Sequence, residues 1–280
     1  MRTFRYVVVD VFTDRALAGN ALAVFTDARG LDAGELQALA RELNLSETVF
    51  VLPREGSGQA RLRIFTPTRE LPFAGHPVLG AAFVIGATVQ LDELALETGQ
   101  GVVPVRLTRE AARVTFGWMT QPRPAVVPFD DAPALLAALG VDRAELPIGV
   151  YDNGLRHALV PVADHATVAA LAPDLAALAR LPVTCVSVFA SGGAACKSRS
   201  FAPAGGVPED PATGSAAGPI AVHLLRHGRL ASGATIEIEQ GAEVGRPSRL
   251  YARAEESTEA ITRVEVGGAA VVVARGEFRL

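Results

Sequence analysis

The chain repeats itself. Arg63-Ile-Phe-Thr-Pro67 and Arg199-Ser-Phe-Ala-Pro203 share the pattern Arg-x-Phe-x-Pro, and each is followed by Glu-x-Pro-x-x-Gly, at 70–75 and at 209–214. Further on, Glu97-Thr-Gly99 is echoed by Glu239-Gln-Gly241. The three separations, 136, 139 and 142 residues, are close to half of the 280-residue chain. A period of that size implies two copies of one folding unit. At about 140 residues, each copy can bury a core of its own. Aligning the copies sets Pro72 against Pro211, Gly75 against Gly214 and His76 against Ser215.

In the second copy the repeated stretch reads as a strand end, a tight polar turn and the start of a buried helix. Asp210, Thr213 and Ser215 are residues of the N-cap type. Pro219 is best tolerated in a first helical turn, where its missing N–H leaves no bond unmade. Ala216, Ala217, Ile220, Ala221, Leu224 and Leu225 then give a small-residue apolar helix that Gly228 stops. The first copy places a similar helix at 76–86. Neither start has an acidic side chain in its first turn, so the leftover N–H groups suit a carboxylate or a phosphate. An ordinary capped helix would look the same. Two such starts facing each other would make a cleft between the halves.

Composition narrows the class. Apolar residues make up 49% and charged residues 20%, as in a globular chain. A net charge of −4, without clusters of Lys and Arg, argues against a nucleic-acid or anionic-membrane partner. No apolar run approaches the roughly 20 residues of a spanning helix, and the first residues lead directly into a strand, which points to a soluble cytoplasmic protein. Cys185 and Cys196 are too few for a disulfide framework or a zinc site.

Along the chain, Asp32 and Glu35 form a capping box, and Leu36, Leu39, Ala40 and Leu43 make one helical stripe closed by Asn44. Most other segments read as strands, so each half is expected to be α+β: a curved, mostly antiparallel sheet around one apolar helix. The expected domains are 1–122 and 129–280, with the Pro-rich stretch at 121–128 as linker and the partner of the final strand left open.

Glu47 is the first candidate for chemistry. It opens a strand that is otherwise apolar, so its carboxyl should be partly desolvated and its pKa raised, letting it take and return a proton. A solvated strand-end glutamate is the plain structural alternative. His76 follows Gly75 at a helix start, where the dipole favours neutral imidazole; it could equally cap that helix. Asp210 could cap its own helix or hold an amino or hydroxyl group. Ser215 offers an N–H and a hydroxyl to an anion, or acts as a cap. His157, His165, His223 and His227 are weaker: the last two are spaced i, i+4, but no carboxylate or cysteine joins them to suggest a metal. Phosphate-loop, dinucleotide and serine-hydrolase motifs are missing from the sequence.

These residues carry a family resemblance. Asp10-Val-Phe with Gly19-Asn20, Asn44-Leu-Ser-Glu47, Phe65-Thr-Pro67, Leu71-Pro-Phe-Ala-Gly-His-Pro77, Asn153-Gly154 with Arg156-His157, and 210–219 resemble the PhzF family of phenazine-biosynthesis isomerases, as do Gln240-Gly241, 245–247 and 262–266. The resemblance spans essentially the whole chain. It implies a diaminopimelate-epimerase-like fold, a homodimer, and cofactor-independent isomerisation of trans-2,3-dihydro-3-hydroxyanthranilate, an amino-cyclohexadiene carboxylate. On this reading Glu47, His76 and Asp210 are catalytic, and Gly75, Thr213, Gly214 and Ser215 bind substrate, without a metal. Related epimerases use two thiols, but neither Cys185 nor Cys196 lies in a repeat motif, which disfavours that chemistry. The alternatives are an isomerase or epimerase of another small amino or hydroxy acid, and a carboxylate-binding protein without turnover.

Overall fold

The structure is a computed structural model that describes residues 1–258 and 260–280. In chain order the elements of the first half are β1 (Thr3–Val11), β2 (Asn20–Phe25), α1 (Ala33–Leu43), β3 (Glu47–Leu52), β4 (Ala60–Phe65), β5 (Glu70–Leu71), α2 (Gly75–Val89), β6 (Glu93–Thr98), β7 (Gly101–Glu110) and β8 (Arg113–Thr120). Then come β9 (Ala125–Pro128), α3 (Ala132–Leu139), β10 (Gly149–Asp152), β11 (Arg156–Pro161), α4 (His165–Ala169), α5 (Leu175–Leu178), β12 (Cys185–Gly192) and β13 (Ala195–Ala202). The chain continues with β14 (Val207–Asp210), α6 (Gly214–Arg226), β15 (Thr235–Gln240), β16 (Ser248–Glu256), β17 (Ile261–Gly268) and β18 (Ala270–Arg279). Two compact units result: residues 1–120 with 267–280, and residues 121–266.

Within the first unit the strands pair in the order β18-β1-β2-β3-β4-β6-β7-β8. The second unit runs β9-β10-β11-β12-β13-β15-β16. From the left, both read antiparallel, antiparallel, parallel, antiparallel, parallel, antiparallel. The duplication seen in the sequence is therefore a duplication of topology. Each parallel pair needs a crossover: α1 joins β2 to β3, α2 lies between β4 and β6, and α6 lies between β13 and β15.

The repeated residues hold equivalent corners together. Arg63 pairs with Glu70 at 2.6 Å and stacks over Phe65; Arg199 pairs with Glu209 at 2.7 Å and stacks over Phe201. Gly99 lies where a Cβ would meet Pro72 Cα at 2.9 Å, and Gly241 where one would meet the Pro211 carbonyl at 2.4 Å. Both glycines are there because the turn before the helix packs directly on the backbone.

Helices α2 and α6 are the central elements. α2 packs on β1, β2, β3, β6, β7 and β8, and its residues are buried almost all round, as expected for a helix without a polar face. Every residue of α6 from Gly214 to Leu225 is buried. The boundaries of α1 follow the sequence closely: Asp32 and Glu35 form the capping box, and Asn44 ends the helix in the left-handed conformation.

Two expectations change, and the open placement of the final strand is answered. Residues 125–128 are not linker but β9, paired with β10, so the boundary falls after Thr120. The final strand, β18, pairs with β1, and residues 267–280 thus join the first unit rather than the second. Pro219 is not in a first turn but is the sixth residue of α6.

Candidate functional site

In the first unit, β2 and β3 run parallel with Leu22 opposite Glu47, so Asn20 and Glu47 stand at the same end of the sheet. Glu47 is the first residue of β3, and its side chain is only 14% exposed. The expected desolvation is present. His76, 4% exposed, is the second residue of α2, and its Nε2 lies 3.3 Å from Glu47 Oε2. The two atoms are in reach of each other without the alignment of a formed hydrogen bond.

Burial pushes the His76 imidazole down to about 3, so the ring is neutral near pH 7. Its tautomer follows from its other partner. Asn20 Nδ2 sits 3.2 Å from His76 Nδ1; an amide nitrogen only donates, so Nδ1 accepts and the ring proton resides on Nε2, toward Glu47. His76 does not cap its helix: the N-cap is Ala74, which makes no side-chain cap bond. The first N–H groups of α2, those of Gly75 and His76, are left over by the i→i−4 pattern.

In the second unit the equivalent helix also lacks a side-chain cap. Thr213 holds the N-cap position, but its hydroxyl donates to Asp210 Oδ2 at 2.6 Å instead. Neither Asp210 nor Ser215 is the N-cap. Gln240 fixes this turn: its Nε2 donates to the Asp210 carbonyl and to Thr213 Oγ1, and its Oε1 accepts from the Thr213 N–H and the Ser198 hydroxyl. The N–H groups of Gly214 and Ser215 begin α6, with no acidic residue in the first turn. Such a turn is suited to an anion. Asp210, Thr213, Gly214 and Ser215 thus stand together in the second unit, as Glu47, Gly75 and His76 do in the first.

Sequence reasoning gave no role to Asn20 or Gln240, which act across 56 and 27 residues. Gln240 did lie in the third echo of the repeat; Asn20 carried no signal beyond the family resemblance. Both thiols are buried, and burial raises their pKa, that of Cys185 to about 12, so neither supplies a thiolate near neutral pH. Among the described residues no group of histidines, cysteines and carboxylates could hold a metal ion, and no helix is long and apolar enough to cross a membrane.

The model of the phenazine biosynthesis-like family matches residues 9–276. The chain belongs to this family, PhzC-PhzF. It is 50% identical to the trans-2,3-dihydro-3-hydroxyanthranilate isomerase of Pseudomonas aeruginosa over 276 residues, 99% of each chain, and 47% identical to that of Pseudomonas chlororaphis, over 98% of this chain and 99% of the relative. A predicted epimerase of Pseudomonas aeruginosa superimposes with a TM-score of 0.84 at 35% identity, covering 98% of this chain and 99% of that one. A protein of Agrobacterium radiobacter titled a probable proline racemase shares the fold, with a TM-score of 0.73 at 15% identity over 99% and 93% of the two chains. The family's epimerase-like α+β fold is the duplicated topology described above.

Proposed function

We propose that this family member isomerises trans-2,3-dihydro-3-hydroxyanthranilate, as its relatives are named for doing, with Glu47 as the acid–base. The Glu47–His76 pair, the largely shielded carboxyl at the start of β3 against the buried ring at the start of α2, carries the proposal. Glu47 carboxylate takes the proton from C3. The C3–H electrons form C3=C4 as the conjugated diene shifts, and C1, which bears the carboxyl group, takes the proton back from Glu47. The product is an enol at C3 that tautomerises to an aminoketone. Atoms and charge balance without any added reactant, and conjugation with the substrate carboxyl spreads the developing charge.

His76, neutral and protonated at Nε2, donates to the Glu47 carboxylate or to the substrate hydroxyl. Asp210 accepts from the substrate amino group, while the N–H groups at Gly75, Gly214 and Ser215, with the Thr213 hydroxyl beside them, hold the carboxylate. Only a base within about 3 Å of its proton is useful, so holding the ring by these polar groups is as necessary as the base itself. The homodimer implied by the resemblance and the cytoplasmic setting read from the sequence belong to the same proposal.

Incubation with the diene in D2O tests it: deuterium enters the product at C1, and Glu47→Gln binds the substrate without turning it over. Turnover by Glu47→Gln at the wild-type rate removes Glu47 from the mechanism. Light scattering on the purified protein decides the dimer.

A further inference from the structure

Pro219 leaves a gap in the helix that carries Ser215. In an α-helix the N–H of residue 219 would bond the carbonyl of residue 215, and proline has no N–H to give. The Ser215 carbonyl is nonetheless bonded: Asn153 Nδ2 donates to it at 2.9 Å. Asn153 is 2% exposed and comes from the turn after β10, 62 residues away in sequence. One residue earlier a second side-chain amide is at work, since Gln121 Nε2 donates to the Gly214 carbonyl at 2.7 Å. Gly218 makes room for it; a Cβ there would lie 2.3 Å from Gln121 Oε1. Two buried side-chain amides therefore grip the two peptide groups that begin α6. In the first unit nothing comparable is required: Pro77 is the third residue of α2, where the missing N–H belongs to the leftover set.

We infer that Asn153 is a positioning residue for carboxylate binding, its side-chain amide standing in for the N–H that Pro219 lacks and holding the Ser215–Ala216 peptide, so that the first turn of α6, which presents the Gly214 and Ser215 N–H groups, keeps its place. This rests on the reading of those groups as carboxylate-binding. Free of its partner, the Ser215–Ala216 peptide can tilt to seek another donor, and Ser215, which it joins, shifts with it and takes its own N–H off line. The carboxylate is already bound in the ground state and stays bound in the transition state, so most of the effect falls on KM.

The experiment is a double-mutant cycle with Asn153→Ala, Pro219→Ala and the two together, reading KM, kcat and urea-unfolding midpoints. Asn153→Ala raises KM about tenfold, the factor that a lost hydrogen bond of ordinary strength gives, with kcat changed less than about threefold. Pro219→Ala alone leaves KM near wild type. The double variant recovers most of the lost affinity, because residue 219 now has an N–H for the Ser215 carbonyl. Asn153→Asp, the same size but without the donor, raises KM at least as much and serves if the alanine variant folds poorly. A wild-type KM in both Asn153 variants, or a double variant as impaired as Asn153→Ala, overturns the inference. The unfolding midpoints need no substrate: if they show the Asn153–Pro219 exchange while KM stays flat, the positioning role is wrong. Absence of turnover in the wild type instead defeats the proposed function and leaves the exchange measurable.

Discussion

Replacing Asn20 by Asp reverses the proton placement on His76. In the wild type Asn20 Nδ2 donates to Nδ1, which leaves the ring proton on Nε2, 3.3 Å from Glu47 Oε2. Asn20→Asp is the same size, but its carboxylate accepts, so the ring proton moves to Nδ1 and a lone pair faces Glu47. A hydrogen bond from Nε2 to a charged group, made as the proton moves at Glu47 rather than in the resting pair, contributes about 1.5–3 kcal/mol. At roughly 1.4 kcal/mol per tenfold in rate, its loss lowers kcat by about 10- to 150-fold. The decisive assay is 15N NMR of histidine-labelled protein, in which protonated and unprotonated ring nitrogens are well separated. Wild-type His76 shows a protonated Nε2 and a bare Nδ1, and Asn20→Asp shows a protonated Nδ1. Rescue of the rate, but not of the NMR pattern, is not expected from any variant at position 20. A wild-type His76 protonated on Nδ1, or an Asn20→Asp enzyme with wild-type kcat, refutes the reasoning.

The two copies of the arginine corner differ in cost. Arg199, 8% exposed, also donates to the carbonyls of Val168, Ala169 and Leu171, so Arg199→Ala destabilises by about 3–5 kcal/mol. Arg63, 21% exposed and facing a half-exposed Glu70, costs only about 0–1 kcal/mol for its ion pair; equal losses in urea melts would contradict this. Acid should unfold the protein early. Burial lowers His76 and His223 to about 3 and His157 to about 4, so the unfolded chain binds more protons than the folded one from pH 6.5 downward. Stability is full above pH 6.5 and falls by about 1.4 kcal/mol per pH unit for each histidine until the folded values are reached, and urea midpoints that stay level from pH 7 to 5 would sink this expectation. Leu79, fully buried on α2, loses about 2–5 kcal/mol on change to Ala, read by thermal melting.

What could be read ahead of the coordinates was local or repeated. Asp32, Glu35 and Asn44 mark both ends of α1 because capping involves neighbours three or four residues apart. The duplicated Arg, Phe, Pro and Gly positions stood out because both copies keep one packing arrangement. β9 was hidden because Pro122, Pro124 and Pro128 read as linker, yet a short edge strand accommodates proline at its ends. Pro219 was misplaced for a longer-range reason: its cost in mid-helix is offset by Asn153, which no pattern within the helix reveals. The same holds for Asn20 and Gln121, whose partners lie 56 and 93 residues away. Buried amides that tie distant peptides together leave no periodic trace.

Strand β18 gives the two units different timetables during synthesis. Residues 121–266 are continuous, so the second unit can close its core as soon as it leaves the ribosome. The first unit emerges earlier but lacks the segment that covers β1, including Phe278 against Tyr6 and Phe25. Until residues 270–279 arrive, β1 is an open edge able to pair with another nascent chain. The half whose synthesis begins first is thus the one that gains its full set of strands last.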